Sequence, residues 1–205
     1  MPKVVDVEAT KMRIVKATWQ VITTKGIQSV SMRRVASAAG CTSGLITHHF
    51  TDKDELVTYA YEVVLDQMIA NAAKRVHQEL SVSHKLLAAV EAIEPSTAHM
   101  KQLTVVLMNF WAQAAFNDSF AARCRRDYKR WRTLISRTIR QGIDAGELRD
   151  DTNIRALTDT ITLLSDGLSV GMTLTPTIYP EGHRQVILLG ILQPYLRKEN
   201  KRAVQ

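Results

Sequence analysis

The sequence predicts an all-α fold of about nine helices, a small three-helix N-terminal domain followed by a larger helical one. Three observations lead there. Apolar residues recur at three- and four-residue intervals through nearly the whole chain of 205 residues, as in helices that bury one stripe. No stretch alternates apolar and polar residues as a half-buried strand would, and no internal repeat is visible. Between Ser31 and Lys53 the segment SMRRVASAAGCTSGLITHHFTDK reads as two short helices joined by a tight turn, with a third starting at once.

Taken in order, residues 1–8 read as a mobile arm and Thr10 to Lys25 as a packing helix, with Ile14, Ala17, Val21 and Ile22 at helical spacing and Gly26 closing it. Trp19 is read as a core or domain-contact residue. Ser31 is the N-cap of the second helix, whose hydroxyl can accept a backbone N–H. Val35, Ala36 and Ala39 form its apolar stripe, and Gly40 supplies the left-handed residue that ends it. Thr42 caps a third helix carrying Leu45, Ile46 and Phe50, which completes a helix-turn-helix over about residues 31–50. Asp52 through Glu55 resembles a capping box. The fourth helix then runs to about Leu80, roughly 40 Å at 1.5 Å per residue. Five more follow: Ser83–Ile93, Thr97–Phe116, Ser119–Gly142, Asp151 to about Thr173, and His183–Leu196. The expected boundary puts residues 1–52 in one domain and 53–205 in the other.

The outer face of the third helix suggests its use. Thr42, Ser43, Thr47, His48 and His49 are short polar or imidazole side chains, and Gly44 leaves backbone open in the first turn. Such a surface fits a major groove about 12 Å wide, and helix-start N–H groups suit phosphate oxygens. Ser31 and Arg33 are expected to contact backbone or base edges. Thr42, Ser43, Gly44, Thr47 and His48 are expected to face the groove, with His49 and Lys53 on phosphates. A formal charge of +7 and a pI near 9.6 favour a polyanionic partner, double-stranded DNA first and an anionic membrane surface second.

The last two helices suggest self-association. Ile154, Leu157, Ile161, Leu164, Leu168 and Met172 form one stripe, which Leu163, Val170 and Leu174 widen, and apolar residues surround most of 183–196. A helix apolar all round must be covered on all sides, so helices 154–174 and 183–196 are expected to form a homodimer interface. Gly167, Gly171 and Gly190 would permit close approach. A ligand pocket is expected beside the fourth helix. Asn109, Phe110, Trp111, Gln113 and Phe116 concentrate aromatic surface and polar handles, and Asp166 sits in a largely apolar helix. A buried carboxylate needs a partner, and aromatic faces near it suit a protonated or quaternary amine.

Gly40 to Leu56, GCTSGLITHHFTDKDEL, resembles the signature of the TetR family of bacterial transcriptional regulators. Gly40, Thr42, Gly44, His48, Phe50, Lys53 and Leu56 fall on its pattern, while Cys41 replaces an aliphatic residue and Thr47 stands where Tyr is usual. FWAQAAFND and LLSDGL are similar to BetI-type members, whose effector is choline. The resemblance implies a dimeric, ligand-responsive repressor that binds palindromic operator DNA, without catalysis or cofactor, in the cytoplasm at the nucleoid.

Other classes fit less well. No nucleophile–base pair, His/Glu metal spacing or Gly-rich phosphate loop supports a helical enzyme, and adjacent His48 and His49 point apart on a helix. No apolar run of about 20 residues would span a bilayer. Cys41 and Cys124 suggest neither disulfide framework nor metal cluster. Between Arg123 and Arg140 stand eight Arg or Lys against one Asp, read as a solvated face.

Overall fold

A computed structural model describes residues 7–179 and 183–197. The described residues form nine α-helices: α1 Val7–Lys25, α2 Met32–Ala39, α3 Ser43–His49, α4 Lys53–Gln78, α5 Val82–Glu91, α6 Ala98–Ala114, α7 Asp118–Asp144, α8 Ile154–Leu174 and α9 His183–Leu192. Of the arm expected over residues 1–8, the first six lie outside the described residues. Val7 and Glu8 already belong to α1.

Side-chain caps fix several of the boundaries. Ser31 accepts from Arg34 N at 3.2 Å and Thr42 from Leu45 N at 3.2 Å. Gly40 is left-handed at φ 63°, and Cys41 N donates to Ala36 O at 3.0 Å, a Schellman ending that only glycine adopts without strain. α8 begins at Ile154 rather than Asp151 because Asn153 accepts from Ala156 N at 3.0 Å, while Thr152 closes a turn back to Arg149. α9 ends at Leu192, short of the expected Leu196. Pro194 has no N–H to continue the ladder, and Gln193–Tyr195 tighten into a 3-10 turn.

The chain divides into two compact units, one up to Asp66 with Gln102–Ala122, the other Gln67–Lys101 with the described residues from Arg123 on. These units cut across α4, α6 and α7 rather than at residue 52, where the sequence suggested a boundary.

Packing in the first unit explains its extent. Trp19 is buried and its Nε1 donates to Ala60 O at 2.9 Å, tying α1 to α4. Phe110 stacks on Tyr61 with centroids 3.6 Å apart and on Phe120 at 4.6 Å. The start of α4, the end of α6 and the start of α7 therefore share the N-terminal core. Asn109 accepts from Ile27 N at 3.3 Å and donates to Val105 O at 2.9 Å, which fixes the turn after α1.

Leu86, Ile135, Ile139, Leu157, Ile161, Leu188 and Leu192 lie at the centre of the second unit. At Gly142 in α7 a Cβ would stand 2.6 Å from Val82 Cγ2, so only glycine lets α5 come this close. Glu147 Oε2 accepts from Val82 N at 2.8 Å. One antiparallel bridge joins Leu148 and Leu196, flanked by Arg149 N to Tyr195 O at 2.9 Å and Arg197 N to Glu147 O at 3.1 Å.

Candidate nucleic-acid interface and ligand site

On the helix-turn-helix, structural work and exposed chemistry fall to different residues. Val35, Ala36, Ile46 and Phe50 are buried and hold α2 against α3 and the unit's core. Arg33, Thr42, Ser43, Gly44, Thr47 and His48 are all exposed, whereas His49 and Lys53 are half-buried. A Cβ at Gly44 would meet only Thr42 Oγ1, at 3.9 Å, so no packing requires glycine there; its effect is to keep the backbone at the helix start open. Thr47 Oγ1 donates to Gly44 O at 3.1 Å, and the rings of His48 and His49 meet edge-on with centroids 5.1 Å apart.

Residues that the sequence reading passed over stiffen this surface. Arg34 Nη1 donates to Ser29 O at 2.5 Å, pinning the turn that leads into α2. At the head of α4, Asp52 Oδ1 accepts from Glu55 N at 2.8 Å, as a capping box requires. Glu55 reaches past Asp52, however, to Thr51 N at 2.6 Å and Thr51 Oγ1 at 2.7 Å. These bonds, the hydroxyl of Thr51 first, hold the Glu55 carboxyl below its ordinary pKa. No pattern of spacing marks Thr51, because its contribution depends on where Glu55 points.

The six residues expected to form a ligand pocket divide between the units, Asn109, Phe110, Trp111, Gln113 and Phe116 in the first and Asp166 in the second. Asn109 and Phe110 serve the first unit's interior, Trp111 and Gln113 are half-buried on α6, and Phe116 is 92% exposed. The Phe116 ring therefore stands in solvent rather than in the interior of the unit. Its α6 segment ends at Ala114, two residues before the expected stop, and leaves the ring beyond the helix.

Asp166 lies in the second unit and has other company. The Tyr128 hydroxyl on α7 donates to its Oδ2. Burial pushes the Asp166 carboxyl up to about 6, with the Tyr128 bond opposing that shift. Burial and then this bond push the Tyr128 hydroxyl up from its ordinary pKa. Trp131, one turn further along α7, is buried, and its Nε1 and the buried hydroxyls of Thr158 and Thr162 on α8 have no partner among the described residues. Buried donors and acceptors are nearly always satisfied, by protein, water or ligand. Asp166, Tyr128, Trp131 and the two threonines thus define a polar seam in a largely apolar unit.

The face expected to meet a second copy is open. Leu163 and Leu174 on α8 and Val186 on α9 are 68%, 66% and 71% exposed. A methyl group at Gly167 or Gly190 would meet nothing within 4 Å. Gly171 differs from both, because Tyr179 of the same chain lies over it, 2.8 Å from a would-be Cβ. No helix among the described residues is long and apolar enough to cross a membrane.

A capped helix-turn-helix with a polar outer helix, joined to a larger helical unit, defines a DNA-binding transcriptional regulator rather than an enzyme. Residues 14–60 match the model of bacterial regulatory proteins of the tetR family, and residues 83–191 match that of the BetI-type transcriptional repressor C-terminal region. The chain belongs to the TetR family, with a C-terminal half of the BetI type. It is 28% identical over 180 residues to the transcriptional regulator PksA of Bacillus subtilis, covering 86% of this chain and 84% of that protein. It is also 26% identical over 198 residues to BetI of Vibrio campbellii, covering 96% of each. A regulator from Saccharomonospora viridis, solved in complex with choline, has the same fold at a TM-score of 0.79 with 21% identity, covering 93% of this chain and 100% of that one.

Proposed function

We propose that the chain is a ligand-responsive repressor that binds a palindromic operator as a homodimer and leaves it when a small cationic amine binds. The observation that carries the reading is the outer face of α3: Thr42, Ser43, Gly44, Thr47 and His48 are exposed together, with Arg33 exposed on α2. Two copies enter successive major grooves when their α3 helices stand about 34–36 Å apart. α8 and α9 form the dimer face, and α4, 26 residues long and about 39 Å by its rise, runs from the DNA-reading unit into the ligand-binding one. A ligand shifts this arrangement only through different affinities for its DNA-competent and released forms.

Operator titrations test the DNA roles. Lys53→Ala is expected to weaken all sequences about equally and to reduce the slope of log affinity against log salt by about 1, because one phosphate contact is lost. Thr42→Ala and Thr47→Ala are expected to shift sequence preference by about 1–3 kcal/mol per disturbed base contact. A Lys53→Ala protein with altered preference and unchanged non-specific affinity would refute the division of roles.

The cationic effector rests on Asp166, its Tyr128 partner and Trp131 nearby on α7. Choline complexed with the Saccharomonospora viridis regulator supports the chemical class. Calorimetric titration with choline and related amines should give saturable binding at pH 8 that Asp166→Asn abolishes. The Asp166 carboxyl titrates near 6; below that it is neutral and attracts no cation, so affinity should fall by about tenfold per pH unit. Affinity at pH 5 equal to that at pH 8 in the parent, or binding that persists at pH 8 in Asp166→Asn, removes Asp166 from the site.

A further inference from the structure

We infer that the second unit holds a separate site for a small phosphate-bearing anion in an open groove between α7 and the start of α8. The groove encloses about 820 Å³ and is lined by Arg125, Lys129, Arg132, Arg140 and Arg155, with no Asp or Glu in its walls. That volume is within the usual range of small-molecule sites, about 300–1,000 Å³.

A solvated basic face would ordinarily explain an Arg-rich helix, and three features argue beyond it. First, the cations converge. Arg125, Lys129, Arg132 and Arg140 fall on one stripe of α7, and Arg155 faces them from α8 across the same groove. Of the five, Arg132 is paired, with Asp159. Arg125, Lys129, Arg140 and Arg155 make no ion pair among the described residues. Like charges held together in a concave wall repel one another, and a bound polyanion relieves that repulsion where water alone screens it.

Second, the floor is polar and unsatisfied. Thr158 lines the groove, is 2% exposed, and its hydroxyl has no partner among the described residues. Thr133 and Ser136 add further hydroxyls to the wall. Third, Ile154 and Arg155 place the first turn of α8, the positive end of its dipole, at the groove. Guanidinium forks, hydroxyls and a helix start together match the oxygens of a phosphate group. From Arg125 to Arg140 the stripe runs about 22 Å along α7, room for a ligand bearing several linked phosphates. Tyr128 lines the groove and also pairs with Asp166, and Thr158 belongs to both sets, so the anion site adjoins the cation seam and shares these two residues with it.

Titration of the full-length protein with inorganic tripolyphosphate, at fixed ionic strength and with sulfate as the comparison anion, tests the site. Tripolyphosphate should bind at least tenfold tighter than sulfate. Arg125→Ala with Arg140→Ala should weaken it by at least tenfold, and Arg125→Lys with Arg140→Lys should recover part of the loss. Thr158→Val, which keeps the buried volume, should also weaken it. Lys53→Ala and Arg33→Ala on the DNA-reading unit should leave it unchanged, and operator binding by the α7 variants in the absence of tripolyphosphate, together with their thermal unfolding, shows that they are folded. Tripolyphosphate no tighter than sulfate overturns the site. So does a loss that follows Lys53 and Arg33 instead of α7, or an acidic polypeptide binding where tripolyphosphate does not.

Discussion

Changing Leu163 and Val186 to glutamate together is expected to convert the regulator into a monomer and to lower its affinity for a palindromic operator by about 10²–10⁴-fold. The two side chains are 68% and 71% exposed in the single chain, and covering each stabilises an assembly by about 1.5–3 kcal/mol. The adjoining glycines, Gly167 and Gly190, leave room within 4 Å for another helix to approach. A carboxylate at either position would have to be desolvated against an apolar partner surface, which costs far more than the lost burial. Each subunit would still present α3 to a half-site. The second half-site contact would then cease to be intramolecular, and its effective-concentration advantage disappears. Sedimentation velocity should report the monomer, and operator titration the loss. Leu80→Glu is the control, since Leu80 is 93% exposed in the turn between α4 and α5 and belongs to neither α8 nor α9; it should change neither. A doubly substituted protein that remains dimeric places the interface elsewhere.

The nine helices and the helix-turn-helix were legible because their signals are local. Ser31, Gly40 and Thr42 act on backbone groups within three or four residues, so sequence order alone places them. The exposed face of α3 follows directly from which positions Val35, Ile46 and Phe50 must bury. The ligand region was not legible in the same way. FWAQAAF looks like a pocket wall because its aromatics are consecutive, but Phe110 is consumed by stacking on Tyr61, 49 positions earlier in the chain, and Phe116 falls past the end of α6. Tyr128 and Asp166 meet across 38 positions, a distance over which periodicity says nothing. The basic helix shows both cases. Its charge count was plain, whereas the groove depends on how Arg155 is brought opposite Arg125 and Arg140.

Arg184→Met is expected to destabilise the protein by about 3–5 kcal/mol at pH 8 and by much less at pH 5. Arg184 on α9 and Glu94, in the turn after α5, are 8% and 1% exposed and form an ion pair. Glu94 Oε1 has no partner among the described residues. Burial drives the Glu94 carboxyl up to about 7 from an ordinary 4.5, against the opposing pull of Arg184. Between those two values the folded chain holds a proton that the unfolded chain has released. Stability contributed by this group is therefore complete below about pH 4.5 and is lost as pH rises through about 7. Removing the guanidinium strands a buried carboxylate wherever Glu94 is ionised, and little but packing is lost where it is protonated. Urea unfolding of parent and variant at both pH values isolates the effect, because other titrating groups cancel in the difference. Adding Glu94→Gln to Arg184→Met should restore most of the loss at pH 8. A penalty equal at pH 5 and pH 8 would mean that Glu94 does not change protonation in this range, and that Arg184 acts through its contacts with α8, such as Met172 Sδ at 3.8 Å, alone.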